Sequence, residues 1–263
     1  MKKTFLKALV FAMGISFFTA PIAKAADSSS VVLKPSGVDY EITIPEKYNF
    51  VFDGEKSYGD NIEEYGVHED ELINSMKGTG SHFQALYTDD YYFINSYDYY
   101  QKGDIKMGHL KDCSQKKIDD LSDEIAKAAK QAAGEGFDFE NKGTYKSKQD
   151  DIYIQLSMIG KDATGDFKNA CLCTIVNNDY YYFYTKSYNP DANLDNLFED
   201  TKTLVDGVKF NYDDSIKSPS SGIDLNRVFR KACGGAVMGA MIGGAYSIVM
   251  KIKKKKESNT EDN

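Results

Sequence analysis

The sequence contains no tryptophan, and its 263 residues include only three histidines, five prolines and four cysteines. The histidines, at positions 68, 82 and 109, leave little from which to build imidazole catalysis or a histidine-rich metal centre. His68-Glu69 begins like the helix of a zinc protease, but Leu72 stands where the second histidine is needed. Asp191, Asn193 and Asp195 begin like a calcium loop, yet Asn196 replaces the turn glycine and Lys202 the final bidentate acid. That triplet therefore reads as a solvated helix start. There is no GxSxG, and Gly78, Gly80 and Ser81 lack the spacing and the lysine of a phosphate loop. The sequence thus offers no catalytic residues, no metal ligands and no cofactor site, and the expectation is a protein that is not an enzyme.

Long apolar runs are scarce too, and the two present lie at the ends. Residues 1–25, "MKKTFLKALVFAMGISFFTAPIAKA", have a basic start, an apolar centre from Ala8 to Ala20 and a small-x-small cleavage site at Ala23-Lys24-Ala25. This is the pattern of a bacterial secretory signal, with the mature chain starting at Ala26. Residues 232–250, "ACGGAVMGAMIGGAYSIVM", carry no formal charge and as a helix span about 28 Å, the thickness of a bilayer's hydrocarbon core. Lys251 and Lys253 to Lys256 follow and mark the cytoplasmic side. The prediction is a single-pass protein: signal 1–25, exported domain 26–212, linker and juxtamembrane segment 213–231, membrane helix 232–250 and basic cytoplasmic tail 251–263. Its first partner is then membrane lipid, contacted through residues 232–250.

Glycine gives that helix a second property. Gly235, Gly239 and Gly243 recur every four residues, with Ala236, Ala240 and Gly244 beside them, so one face is made of small side chains. Such a face lets two backbones approach closely, which favours helix association in lipid. The expected partners are a second copy of this chain, giving a homo-oligomer, or another envelope membrane protein.

Positive charge is deficient in the exported part. Without the nine lysines and three acids of the two ends, the 32 basic and 40 acidic residues become 23 and 37, a net charge of −14. Nucleic acid is excluded as a partner by that balance.

Within the domain, hydrophobic periods outline an α+β fold. Val38 to Ile44 alternates before Pro45, and Tyr48 to Phe52 gives another strand. A short helix is expected over Glu69 to Met76, then a hairpin of Phe83 to Tyr87 and Tyr91 to Tyr100. The longest helix opens at Ser114, with Ile118, Leu121, Ile125, Ala128 and Ala132 on one face and Gly134 as its stop. Strands follow over Gly143 to Lys148, Asp151 to Ile159, Lys168 to Val176 and Asp179 to Lys186, the last two joined by Asn177-Asn178. Pro190 and Asp191 open a final helix, and Val208 to Tyr212 closes the sheet. The expectation is an antiparallel sheet with helices packed on its faces, plus the membrane helix.

The order "VDYEITIPEKYNFVF", "EDELINSMKGTGSHFQALYTDDYYFINSY", a long helix, "GTYKSKQDDIYIQLSM", "CLCTIVNNDYYYFYTKSY" and "LFEDTKTLVDGVKF" resembles the PsbP-like fold across roughly residues 36–212. The resemblance implies an α/β/α sandwich that works as an accessory or binding module in secreted and membrane-anchored bacterial proteins. It carries no functional residues across, because no sharp motif accompanies it.

Cysteine and tyrosine leave two open questions. Cys171 and Cys173 are two apart on one strand and face the same side, so they are poorly placed to bond each other. Cys113, Cys171 and Cys173 are either buried thiols, or Cys113 forms a disulfide with Cys171 or Cys173. Tyrosine is abundant, at 19 residues, and "YYFINSYDYY" and "YYYFYTKSY" place aromatics on both faces of two strands. Cross-strand packing accounts for such strands by itself. The functional reading is an exposed face of Tyr91, Tyr97, Tyr99, Tyr180, Tyr182 and Tyr184 that recognises a protein, peptide or glycan.

Overall fold

The computed structural model describes residues 30–59, 70, 73, 76, 80–89, 92–103, 106–133, 136–161 and 165–216. The fold is α+β. Eleven strands are described: β1 (Val31–Leu33), β2 (Tyr40–Ile44), β3 (Phe50–Phe52), β4 (Ser57–Gly59), β5 (Gln84–Asp89), β6 (Tyr92–Gln101), β7 (Asp138–Lys146), β8 (Ile152–Lys161), β9 (Asp166–Val176), β10 (Asp179–Ser187) and β11 (Val208–Phe210). Helix α1 (Gln115–Ala133) lies between β6 and β7, and α2 (Leu194–Val205) between β10 and β11.

Long strands form where apolar residues run or alternate, and asparagine and glycine turn the chain between them. Asn177 and Asn178 join β9 to β10 with φ of 54° and 71°, the left-handed pair that a two-residue hairpin requires and asparagine tolerates. Eight antiparallel strands result, in the order β4-β3-β5-β6-β10-β9-β8-β7. Gly103, just past β6, is a close approach: a Cβ there would lie 1.6 Å from the Asn178 carbonyl oxygen. The first strands and the last make a separate sheet, β1-β2-β11. The expectation that residues 208–212 close the main sheet is therefore corrected, because β11 pairs with β2, Val208 opposite Ile42.

Both faces of the large sheet are covered. On one, Ile118, Leu121, Ile125 and Ala129 of α1, joined by Met107 and Leu110, pack on Phe139, Ile154, Leu156 and Met158. On the other, Leu197, Phe198, Leu204 and Val205 of α2 and the small sheet's Tyr40, Ile42 and Ile44 pack on Tyr153, Leu172, Tyr181 and Phe183. Each leucine, isoleucine, valine, methionine or phenylalanine among them contributes about 1.5–3 kcal/mol when fully buried. Helix α2 is capped by Asn193, whose Oδ1 accepts the Asp195 amide at 2.8 Å, and not opened at Pro190 and Asp191.

The end of the domain is tied down. The Asn211 amide donates to the Asp39 carbonyl at 2.9 Å, Asn177 Nδ2 donates to the Asn211 carbonyl at 2.8 Å, and the Asp213 amide donates to Asn177 Oδ1 at 2.9 Å. The Tyr212 hydroxyl donates to Asp151, and Lys111 lies over the Tyr212 ring.

Several sequence expectations fall elsewhere. Of the helix over Glu69 to Met76, only Asp70, Ile73 and Met76 are described, and these are helical. The signal 1–25, residues 217–231 of the linker, the glycine stripe Gly235, Ala236, Gly239, Ala240, Gly243 and Gly244, and the tail 251–263 lie outside the described residues. Among the described residues no helix is long and apolar enough to cross a membrane.

Candidate functional site

Period-two alternation puts Tyr180, Tyr182 and Tyr184 on the α1 side of β10, and cross-strand register sets Tyr97 opposite Tyr184 and Tyr99 opposite Tyr182. These tyrosines do not form an exposed face. Tyr97, Tyr182 and Tyr184 are at most 1% exposed and Tyr180 is 5% exposed. Tyr97 stacks on Tyr184 with ring centroids 5.0 Å apart, and Tyr99, partly buried, meets Tyr182 at 5.9 Å. Sequence alternation put these tyrosines on one face but could not show that this face is covered as fully as its opposite. Tyr91 lies outside the described residues.

The cysteine question is also answered for three of the four. Cys113, Cys171 and Cys173 are thiols, and no disulfide joins them. Cys171 and Cys173 are buried under α1 with Cys113 packed against the same cluster, and the Cys113 thiol points to the His109 carbonyl at 3.8 Å.

A polar cleft of about 370 Å³ lies elsewhere, where three loops converge. The β1–β2 loop supplies Lys34, Pro35 and Ser36; the β3–β4 turn supplies Asp53, Gly54 and Glu55; the segment before β5 supplies Ser81 and His82. Asp53 makes its own turn. Its Oδ1 accepts the amides of Glu55 at 3.0 Å and Lys56 at 2.9 Å, and its Oδ2 accepts the Tyr58 hydroxyl at 2.8 Å. Partial burial opposes ionisation of Asp53, but these donors outweigh it and hold the carboxyl below its ordinary value.

Asp98 lies behind the cleft wall, bonded to its residues Ser81 and His82. It sits in the middle of β6, only 2% exposed, and faces away from Tyr97 and Tyr99. Its Oδ1 accepts the backbone amides of His82 at 2.7 Å and Phe83 at 3.1 Å; its Oδ2 accepts the Tyr40 hydroxyl and His82 Nδ1, both at 2.8 Å. The Ser81 hydroxyl donates to the Phe83 carbonyl at 2.7 Å and reaches Asp98 Oδ1 at 3.3 Å. One carboxylate thus joins the small sheet, the large sheet and the cleft wall.

His82 is mostly buried, with 21% of its side chain exposed. Burial opposes protonation of the ring, but the hydrogen bond and charge of Asp98 outweigh it and raise its pKa above the ordinary 6.5. A raised folded-state pKa means stability fully present below pH 6.5 and lost as the pH climbs through the raised value. The expected result is an imidazole titration of His82, followed by NMR, with its midpoint above 6.5 and with domain stability falling over the same interval. A midpoint at or below 6.5 would contradict the pairing.

No protein-family model matches the chain, and none of the curated proteins matches it in sequence. Among the described residues no group of three or more histidine, cysteine or acidic side chains is placed to hold a metal ion. Asn193 of the calcium-like triplet serves as the helix cap instead.

The sequence passed over Asp98 and His82. The available signal was the aspartate inside "YYFINSYDYY", a charge at the centre of a strand otherwise built for a core. Such a residue needs partners that neutralise or hydrogen-bond it.

Proposed function

We propose that the chain is a single-pass protein of a bacterial cell envelope, whose exported domain is a non-catalytic binding or accessory module and whose glycine-striped helix self-associates. What carries this reading is the sequence layout: a secretory signal at 1–25, an acidic domain, then an uncharged 19-residue run closed by five lysines. The layered arrangement of helix, sheet, and helix with small sheet is compatible with an α/β/α sandwich of the PsbP-like kind. The binding surface is assigned to the polar cleft, since the tyrosine strands lie in the core.

A structural membrane oligomer, with the domain as a cap, is the second reading, and the stripe Gly235, Gly239 and Gly243 favours it. An envelope hydrolase ranks third. The buried Asp98 orients His82 as such an enzyme would need, but Ser81 donates to Phe83 and Asp98 and not to the imidazole.

Crosslinking the native protein in intact cells, followed by mass spectrometry, separates the first two readings. Attachment of one other envelope protein near Lys34, Glu55 or His82 is the expected outcome. Crosslinks only between copies, gathered at residues 235–244, would replace the binding module with the structural oligomer.

A further inference from the structure

We propose that the cleft receives the free carboxylate of a small ligand of the peptide C-terminus type, held by His82, Lys34 and Ser36; this deepens, and rests on, the binding-module reading. Asp53 is occupied by two amides and the Tyr58 hydroxyl, Ser81 by Phe83 and Asp98, and His82 Nδ1 by Asp98. What remains around the cleft is mostly donors. The Lys34 ammonium, 75% exposed, has one ion pair, with Glu41 at 3.0 Å, and two further N–H groups. The Ser36 hydroxyl has no hydrogen bond among the described residues.

His82 adds the specific element. A carboxylate can only accept, so Nδ1 carries the proton shared with Asp98, and Nε2 carries one when the ring is an imidazolium. The pairing with Asp98 extends that charged state above the usual pH, and an imidazolium N–H to a carboxylate oxygen is a charge-assisted bond.

The surrounding charges choose among anions. Asp98 and the Tyr40 hydroxyl lie beneath His82, the Tyr100 ring stands edge-on at 5.9 Å, and Asp53 and Glu55 line the cleft with it. Two acids on the β3–β4 turn repel a dianion, so a singly charged carboxylate fits better than phosphate. The Glu55 side chain, without a hydrogen bond among the described residues, offers a place for an ammonium group. A volume of about 370 Å³ suits a ligand of a few residues at most.

The test is calorimetry on the full chain in detergent with three probes: trialanine, its C-terminal amide and inorganic phosphate. Trialanine is expected to bind at least about tenfold more tightly than its amide or phosphate, and to weaken about tenfold between pH 6 and pH 8.5 as His82 discharges. His82→Gln should remove the part of that pH dependence that the C-terminal amide of trialanine, whose α-amino group titrates over the same range, does not share. Lys34→Met and Ser36→Ala, both at exposed positions, should weaken binding whether or not the His82 variant folds. Equal binding of acid and amide would overturn the carboxylate assignment while leaving the cleft a binding site. Absence of trialanine binding at millimolar concentration, alongside crosslinks to an envelope protein at the cleft, would overturn this inference and leave the binding-module reading standing. Absence of both would remove the two together.

Discussion

Replacing Asp98 by alanine is expected to destabilise the domain by about 3–5 kcal/mol, read as a drop in the denaturation midpoint near pH 6. The size follows from what the carboxylate holds. Tyr40, His82 through two nitrogens, Phe83 and Ser81 all direct donors to it, and four of those five contacts are no longer than 3.1 Å. Alanine would leave these donors facing a void in the interior, and each unsatisfied buried group costs about 1–3 kcal/mol before relaxation. Asp98→Asn should lose less, because an amide oxygen can still accept the backbone N–H groups while its NH₂ opposes Tyr40 and His82. A loss under about 1 kcal/mol for Asp98→Ala would show that water takes over these partners and that Asp98 is not the joint between the sheets.

Tyr184 gives the second large effect, with two substitutions that point in opposite directions. Its ring is fully buried and stacked on Tyr97, so Tyr184→Ala should cost about 3–5 kcal/mol through lost burial and the cavity left behind. Its hydroxyl, by contrast, is buried without a hydrogen bond among the described residues. Tyr184→Phe should therefore leave stability unchanged or raise it by up to about 1 kcal/mol. If Tyr184→Ala cost less than about 1 kcal/mol, the residue would behave as a surface side chain and the exposed tyrosine face would return as a candidate. A clear loss for Tyr184→Phe alone would mean that the hydroxyl has a partner in the folded protein.

These expectations show which parts of the fold were legible in the sequence. Strands β8, β9 and β10 are continuous apolar or alternating runs separated by turn residues, and period and punctuation place them closely. Helix α1 follows from Ile118, Leu121 and Ile125 at helical spacing. Local pattern does not report what lies against an element from afar. Nothing in the sequence near Tyr180 says that a helix beginning at Gln115 covers it. Nor does "VDGVKF" reveal that β11 pairs with a strand 166 to 170 residues earlier, a contact fixed by the path of the chain. The short strands β1 and β4, three residues each, carry too few positions for any period to register. The cleft was hidden for the same reason, since its three walls come from separated loops and only Asp98 betrayed a polar requirement.

The knot of hydrogen bonds after β11 also sets how the domain meets a pull. Tension entering from residues beyond 216 reaches Asp213 first, where Asn177 holds its amide, and then Tyr212, bonded to Asp151 and overlain by Lys111. Only after these ties and the Asn211 bond to Asp39 give way does force reach the three-residue pairing of β11 with β2. Asn177 follows β9 and Asp151 precedes β8, so part of the load passes into the large sheet, while the Asn211 bond to Asp39 passes the rest toward β2 of the small one. A pull applied at that end would thus be shared between the two sheets before it reached the pairing of β11 with β2.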